Sequence, residues 1–318
     1  MERTFVKDIR ENDQVDGVFW VKEKALPVSR TGAPYLRLRL ADRTGEIEAR
    51  VWDGVEAFAD LFTRDDFIRI KAQATSYQDK IQLNIKSLKK AGDDEIALED
   101  FLASSARDPD EMLAELIAIV QGIENPFLKQ LVMAFLENEE FTPLFKRAPG
   151  AKRLHHSFLG GLLEHTLSVV NLIQKIKGYY EGINHDLLLA GGTLHDIGKV
   201  YELSYERSFD YTDQGRLVGH IVMGVEMVDK EIARIEGFPS ELAMLMKHLL
   251  LSHHGLHEWG SPTRPMTLEA QILHHLDDLD AKVKGIQEFM QKAQEGATWT
   301  DYHRMFERFF YIGEGEEG

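Results

Sequence analysis

Leu187-Leu-Leu-Ala-Gly-Gly-Thr-Leu-His195-Asp196-Ile-Gly198-Lys199 decides how the rear of this chain folds. It reads as an apolar helix stopped by glycine, which buries a histidine–aspartate pair at a helix end with Lys199 just beyond it. Imidazole and carboxylate are the ligand types that bind Zn, Mn, Fe and Co ions, and the pair supplies both at one point. Working outward, histidines and carboxylates recur beside helical apolar patterns. Gly161-Leu-Leu-Glu-His165-Thr166 opens an amphipathic helix that continues through Val169, Val170, Leu172 and Ile173. His220 follows Gly219 at another helix start, and His253-His254 closes the apolar run Leu242 to Leu251 ahead of Gly255. Asp277 lies in His274-His-Leu-Asp-Asp-Leu-Asp280. The series His165, His195-Asp196, His220, His253-His254, Asp277 reads as one metal centre built for hydrolysis. All 13 histidines fall after Leu154, so this chemistry is confined to the rear of the chain.

The front reads differently. Within residues 4–90, period-two alternation marks short strands at Val15-Phe19, Tyr35-Leu40, Ile47-Trp52, Phe67-Ala72 and Ile81-Ile85. Ala41-Asp-Arg-Thr-Gly-Glu46 supplies turn chemistry for a hairpin, and Gly54 to Phe62 reads as one short helix. Five strands with a helix between the third and fourth is the layout of an OB-fold. The expected organisation is therefore multidomain β + α. An OB-fold barrel at 1–90 is followed by a small-residue, acidic linker at 91–108, an all-α bundle at 109–312 and a disordered tail at 313–318. Asp108-Pro109-Asp-Glu111 and Asn125-Pro126 are the bundle's first helix starts.

Composition sets limits. Two domains suit 318 residues, and 43% hydrophobic content is enough for ordinary cores. No stretch approaches the ~18–20 apolar residues of a membrane span. Cysteine is absent, which excludes disulfides and thiolate metal sites and fits a reducing cytoplasm. The start MERTFVKDIRENDQ lacks the apolar core of a signal peptide, so a cytoplasmic location is expected. The net charge of −16 is uneven: residues 1–90 hold 17 Lys and Arg against 15 Asp and Glu, leaving the deficit to the rear. Basic residues at the front thus remain available for patches.

The order His, His-Asp, His, His, Asp resembles the HD-domain metallohydrolase superfamily over roughly residues 150–285. More narrowly, GGLLEHT, LHDIGK, YTDQGRLVGH, LSHHG and LDDLDAK behind an OB-like front resemble the YhaM-type 3′-to-5′ exoribonucleases. That resemblance implies His165, His195, Asp196 and Asp277 around one ion. It further implies that Asp196 bridges to a second ion held by His220 and by His253, His254 or both. The pair would activate a bridging water, with Lys199 countering phosphoryl charge. A carboxylate-bridged pair favours Mn, Co or Fe, with Zn or Mg compatible. His248, His274 and Asp280 are expected to support the ligands, while His185, His257 and His303 read as ordinary surface or capping residues.

The substrate implied is single-stranded RNA, or DNA, shortened from its 3′ end, a polarity that comes only from the resemblance. Expected substrate contacts are Lys152, Arg153, His156 and Arg216 near the centre. On the barrel they are Tyr35, Arg37, Arg39 and Trp52, whose alternation puts them outward. Phe19, Trp20 and Tyr77 are further aromatic candidates. Two alternatives stand beside the exonuclease: a phosphohydrolase of small nucleotides, and a nucleic-acid-binding adaptor with a structural metal. Trp299 to Tyr311 carries aromatics at near-helical spacing, expected to pack on the chain itself or to join copies into a homo-oligomer.

Overall fold

Residues 3–29, 32–78, 80–152, 156–205, 209–294 and 296–313 are described in a computed structural model. The chain divides into two units, one running through Ala103 and the other starting at Ser104.

In the first unit, β1 (Gln14–Ala25), β2 (Leu36–Asp42), β3 (Gly45–Val51), α1 (Val55–Ala59), β4 (Phe67–Tyr77) and β5 (Lys80–Lys90) follow in order. The strands close into a barrel in the order β1-β2-β3-β5-β4, with β3 and β5 parallel. This is the OB-fold layout, with strands longer than alternation alone indicated. Alternation nevertheless sets what faces in: Leu36, Leu38 and Leu40 of β2 are buried while Arg37 and Arg39 are exposed. The β2–β3 hairpin turns on two residues. Asp42 secures it, accepting from the Thr44 amide at 2.7 Å and from the Val6 amide at 2.6 Å. Residues 91–103, expected as linker, pack on the barrel instead. Phe101 is buried with its ring 4.6 Å from Phe67, and Glu95 binds Arg69 at 2.9 Å and Lys89 at 3.0 Å. An acidic composition looked like linker, but Glu95 is held by basic residues of β4 and β5 and Asp100 by Arg3.

The second unit contains α2 (Pro109–Val120), α3 (Pro126–Leu136), α4 (Phe141–Arg147), α5 (Gly161–Lys175), α6 (His185–Leu194), α7 (Lys199–Glu202), α8 (Asp213–Val218), α9 (His220–Ile232), α10 (Ser240–Ser252) and α11 (Leu268–Met290). Asp108 and Asn125 cap α2 and α3 through their side chains, as their sequences indicate. The unit is not wholly helical: β6 (Leu203–Ser204) and β7 (Asp210–Tyr211) pair as a short ribbon. The aromatic segment after Trp299 is likewise no helix. Trp299 pairs with Tyr311 and His303 with Arg308 as bridges of an irregular hairpin, so its spacing reflected paired rungs rather than helical turns. The tail from 314 lies outside the described residues. Among the described residues, no helix is long and apolar enough to cross a membrane.

Candidate metal centre

Close helix packing assembles the site. Gly191 and Gly192 sit mid-helix in α6, where an added Cβ would strike Leu249 of α10 at the first and approach Ile173 of α5 to 2.5 Å at the second. The glycines therefore let α6 nest against both neighbours. That brings His195, at the end of α6, to His165 of α5 and His253 at the end of α10. Gly198 works in the same way rather than as a helix stop. It has helical φ −62°, and its Cα faces the His220 carbonyl so closely that a Cβ would fall on that oxygen. Gly255, in contrast, does end its helix with φ +75°, and it also abuts the His274 ring.

Around Asp196 the imidazoles fall into two groups. His165 Nε2 lies 3.2 Å from His195 Nε2 and 3.1 Å from Asp277 Oδ1, while Asp196 Oδ2 is 3.6 Å and 3.3 Å from the two histidine nitrogens. Asp196 Oδ1 turns the other way, 3.5 Å from His220 Nε2 and 3.6 Å from His253 Nε2. His254 joins this second group, with nitrogens of His220, His253 and His254 within 4.8 Å of one another. Both His253 and His254 are thus brought to the same place.

Each ring is held through its other nitrogen. Nδ1 donates to the carbonyl of Gly192 from His195 (2.8 Å), of Leu250 from His253 (2.7 Å) and of Trp259 from His254 (2.9 Å). His165 donates to Asp280 (2.8 Å) and His220 to Glu202 (2.9 Å). A carbonyl or carboxylate oxygen only accepts here, so Nδ1 carries a proton in each ring and Nε2 is the atom left to face a cation, His165 holding a second proton there while no metal is bound. Buried lone pairs facing one another repel, and Asp196 Oδ1, His220 Nε2 and His253 Nε2 have no hydrogen-bond partner at all. Cations resolve this. Ligand atoms on one ion at ~2.1 Å stand about 3.0–3.4 Å apart, close to the spacings found. The residues fit a metal centre of two groups sharing Asp196.

Electrostatics agree. Burial opposes charge on Asp196, but Lys199, donating at 2.6 Å, and His195 hold its pKa well below the carboxylate range. Burial likewise works against the Asp277 and Asp280 anions, and hydrogen bonds from His165, with His156 also serving Asp280, outweigh it. Burial pulls His165 toward neutrality, yet Asp277 and Asp280 push it up to about 9, so without metal a proton takes the cation's place. Burial and the neighbouring His253 and His220 lower His254 to about 3, leaving it neutral and fit to ligate.

The remaining expected residues divide. Lys152 (2.6 Å) and Arg216 (2.7 Å) both bind Asp210, a pairing no spacing revealed. His156 is fully buried with Nε2 3.0 Å from Asp280, so it supports the centre and cannot touch substrate. Arg153 lies outside the described residues, as does His155. On the barrel, Tyr35 stacks on Trp52 at 4.6 Å, Trp52 is 46% exposed, and Arg50 lies over Trp52 and the half-exposed Tyr77. Arg37 shares the exposed face of β2, whereas Arg39 is tied to Glu23 and Glu46. Phe19 belongs to the barrel core, and Trp20 is buried outside it with the Lys22 ammonium 3.8 Å over its ring. Glu202 was missed; its signal was a carboxylate between the apolar Val200 and Leu203.

The HD domain family matches residues 162–282, and an OB-fold nucleic acid binding domain family matches residues 18–91. The chain is 34% identical to the 3′-5′ exoribonuclease YhaM of Geobacillus sp., covering 94% of this chain and 92% of that protein. It is 36% identical to the YhaM of Oceanobacillus iheyensis, covering 96% of each. With the Bacillus subtilis YhaM it shares 32% identity over 94% of this chain and 95% of that one. An OB barrel followed by a helical unit whose clustered imidazoles and carboxylates could hold metal, with similarity along nearly the whole chain, places this protein in the YhaM family of 3′-5′ exoribonucleases.

Proposed function

We propose that this protein removes nucleotides one at a time from the 3′ end of single-stranded RNA, using two divalent ions that share Asp196. The observation that carries the reading is the division of the Asp196 carboxylate between two groups of imidazole nitrogens. His165, His195, Asp196 and Asp277 would hold one ion; Asp196, His220, His253 and His254 the other. The mixed imidazole and carboxylate donors favour Mn, Co or Fe, with Zn and Mg as outcomes of metal analysis. When bound, such a pair supplies Lewis acidity to the phosphate and lowers the pKa of water toward neutrality.

The protein's own groups do the rest. Lys199, on Asp196 and in the wall of the adjoining cavity, counters charge that builds on the phosphoryl oxygens. Water adds its oxygen to phosphorus, the P–O3′ bond breaks, and the departing 3′ oxygen takes a proton, so the terminal residue leaves as a 5′-monophosphate. Asp280 and Glu202 hold His165 and His220 in the tautomer described above. Tyr35, Trp52 and Arg37 offer a stacking and cationic face to an unpaired strand. The named activity of the YhaM relatives supports RNA as substrate.

A 5′-labelled single-stranded RNA incubated with Mn-loaded protein should shorten in single-nucleotide steps, and Asp196→Ala should abolish this. RNA left intact while cyclic or polyphosphorylated mononucleotides disappear would replace the proposal with a small-nucleotide phosphohydrolase. DNA run in parallel decides the sugar preference.

A further inference from the structure

One cavity of about 560 Å³ adjoins the metal centre, within the ~300–1,000 Å³ of ligand sites. Its shape can be read from α11. Asp277, Ala281, Gly285 and Glu288 line it at spacings of three and four, so one face of this helix is its floor, and Lys292 adds to the lining just past the helix end. From Asp277 to Phe289 that face rises about 18 Å at ~1.5 Å per residue. The cavity is therefore a groove, with the metal-binding candidates at one end. Ala281 and Gly285 keep the floor low in its middle.

Aromatic rings stand at two levels along it. Trp259, half exposed, lies under the Lys282 ammonium at 5.3 Å, near the metal end. Phe289 marks the far end, about 18 Å along the axis from Asp277. There the C-terminal hairpin supplies the wall: His303 meets Phe289 edge-on at 4.4 Å and Phe306 at 4.8 Å, and Phe306 lines the groove. The aromatics at the chain's end thus pack on the chain itself, as expected, and in doing so wall the groove.

We infer that this groove holds the single strand itself, several nucleotides upstream of the bond cleaved, with bases on Trp259 and on the Phe289–Phe306 wall. The inference rests on the exonuclease reading and extends it to the substrate's minimum length. A stacked strand advances ~3.4 Å per nucleotide, and an extended one up to about twice that, so the groove takes three to six. A mononucleotide or dinucleotide leaves the far wall empty. Because every base has a stacking face, the groove is indifferent to sequence. Degradation should then slow as the remaining strand becomes too short to reach Phe306.

The test is kcat/KM of the full-length, Mn-loaded protein on 5′-labelled oligoribonucleotides, from dinucleotide to octanucleotide. Wild type should show efficiency rising over the first few nucleotides and then levelling, with limit products a few nucleotides long. Phe306→Leu should lower the advantage of long over short substrates about tenfold, the usual worth of one stacked base, while Phe306→Tyr should keep it. Gly285→Leu, which raises the floor from α11, should act as Phe306→Leu does. Thermal unfolding of each variant checks that the fold is kept. Dinucleotides cleaved as efficiently as octanucleotides by wild type would overturn the groove assignment, as would length dependence unchanged in both Leu variants. Failure to cleave any length would instead count against the exonuclease reading.

Discussion

Replacing Gly198 by alanine sets two calculable effects against each other. Gly198 has φ −62° and ψ −22°, a conformation in which alanine is preferred. The gain from a stiffer unfolded chain is ~0.4–1 kcal/mol. Against this, the new methyl would overlap the His220 carbonyl oxygen and come within 2.8 Å of the Gly224 amide nitrogen. Comfortable contact is ~3.5–4.0 Å, and the obstacle is backbone at the start of α9, which has no rotamer to change. Overpacking of this kind costs ~1–3 kcal/mol, so the clash wins by about 1–2 kcal/mol. For a unit of this size Tm should fall by roughly 2–8 °C. Relief requires α9 to back away by on the order of 1 Å, carrying His220 away from Asp196, whose oxygen now lies 3.5 Å from it. Calorimetry should show the lower Tm, and metal analysis after gel filtration should show less bound metal per chain than in wild type. A variant that melts higher, as helix propensity alone predicts, and keeps its full metal content would refute the reasoning.

Asp277→Ala should remove the ion of the His165–His195 group and leave that of the His220 group, read as halved metal stoichiometry; unchanged content would point to another carboxylate on α11. Trp52→Ala should weaken binding of a long single strand about 5- to 100-fold at fixed salt, the range for one stacked base. Binding unaltered in a fluorescence titration would mean the Tyr35–Trp52 pair only closes the end of the barrel. Glu95, held at about 2 by Lys89 first and then Arg69 against an ordinary value of 4.5, stabilises the barrel unit above its unfolded pKa. That contribution is lost as pH falls from about 5 to 2, so Glu95→Gln should flatten the acid limb of unfolding in that window. An acid limb identical to wild type would show that the 91–103 segment adds nothing there.

Much was legible without coordinates because it depends on local chemistry. Alternation in Leu36-Arg-Leu-Arg-Leu40 specifies which face of a strand is buried, since successive side chains point oppositely whatever the strand pairs with. Asp108-Pro109 starts a helix through its own side chain. The ligand series could be read because imidazoles and carboxylates, the donors that bind divalent ions, recur in one order beside apolar helical patterns, an order that resembles the HD superfamily. Misreadings arose where distant segments meet. Phe19 and Trp20 stood as further aromatic candidates beside Trp52, but Phe19 is spent in the barrel core and Trp20, on the opposite face of β1, is covered with Lys22 over its ring. His156 looked like a substrate contact until Asp280, 124 residues away, claimed it.

The sequence by itself determined the element types, the two-part organisation and the identity of the candidate ligands, all consequences of side-chain period and donor chemistry. Tertiary structure alone decided the pairing of Lys152 and Arg216 with Asp210 and the groove along α11, and it gave the distances that divide Asp196 between two groups. It also decided what the glycines of Leu187–Lys199 are for. Gly198 reads as a stop because glycine commonly ends helices. It is there because His220's backbone occupies the space a Cβ would need, and no local rule contains the position of a chain segment twenty-two residues away.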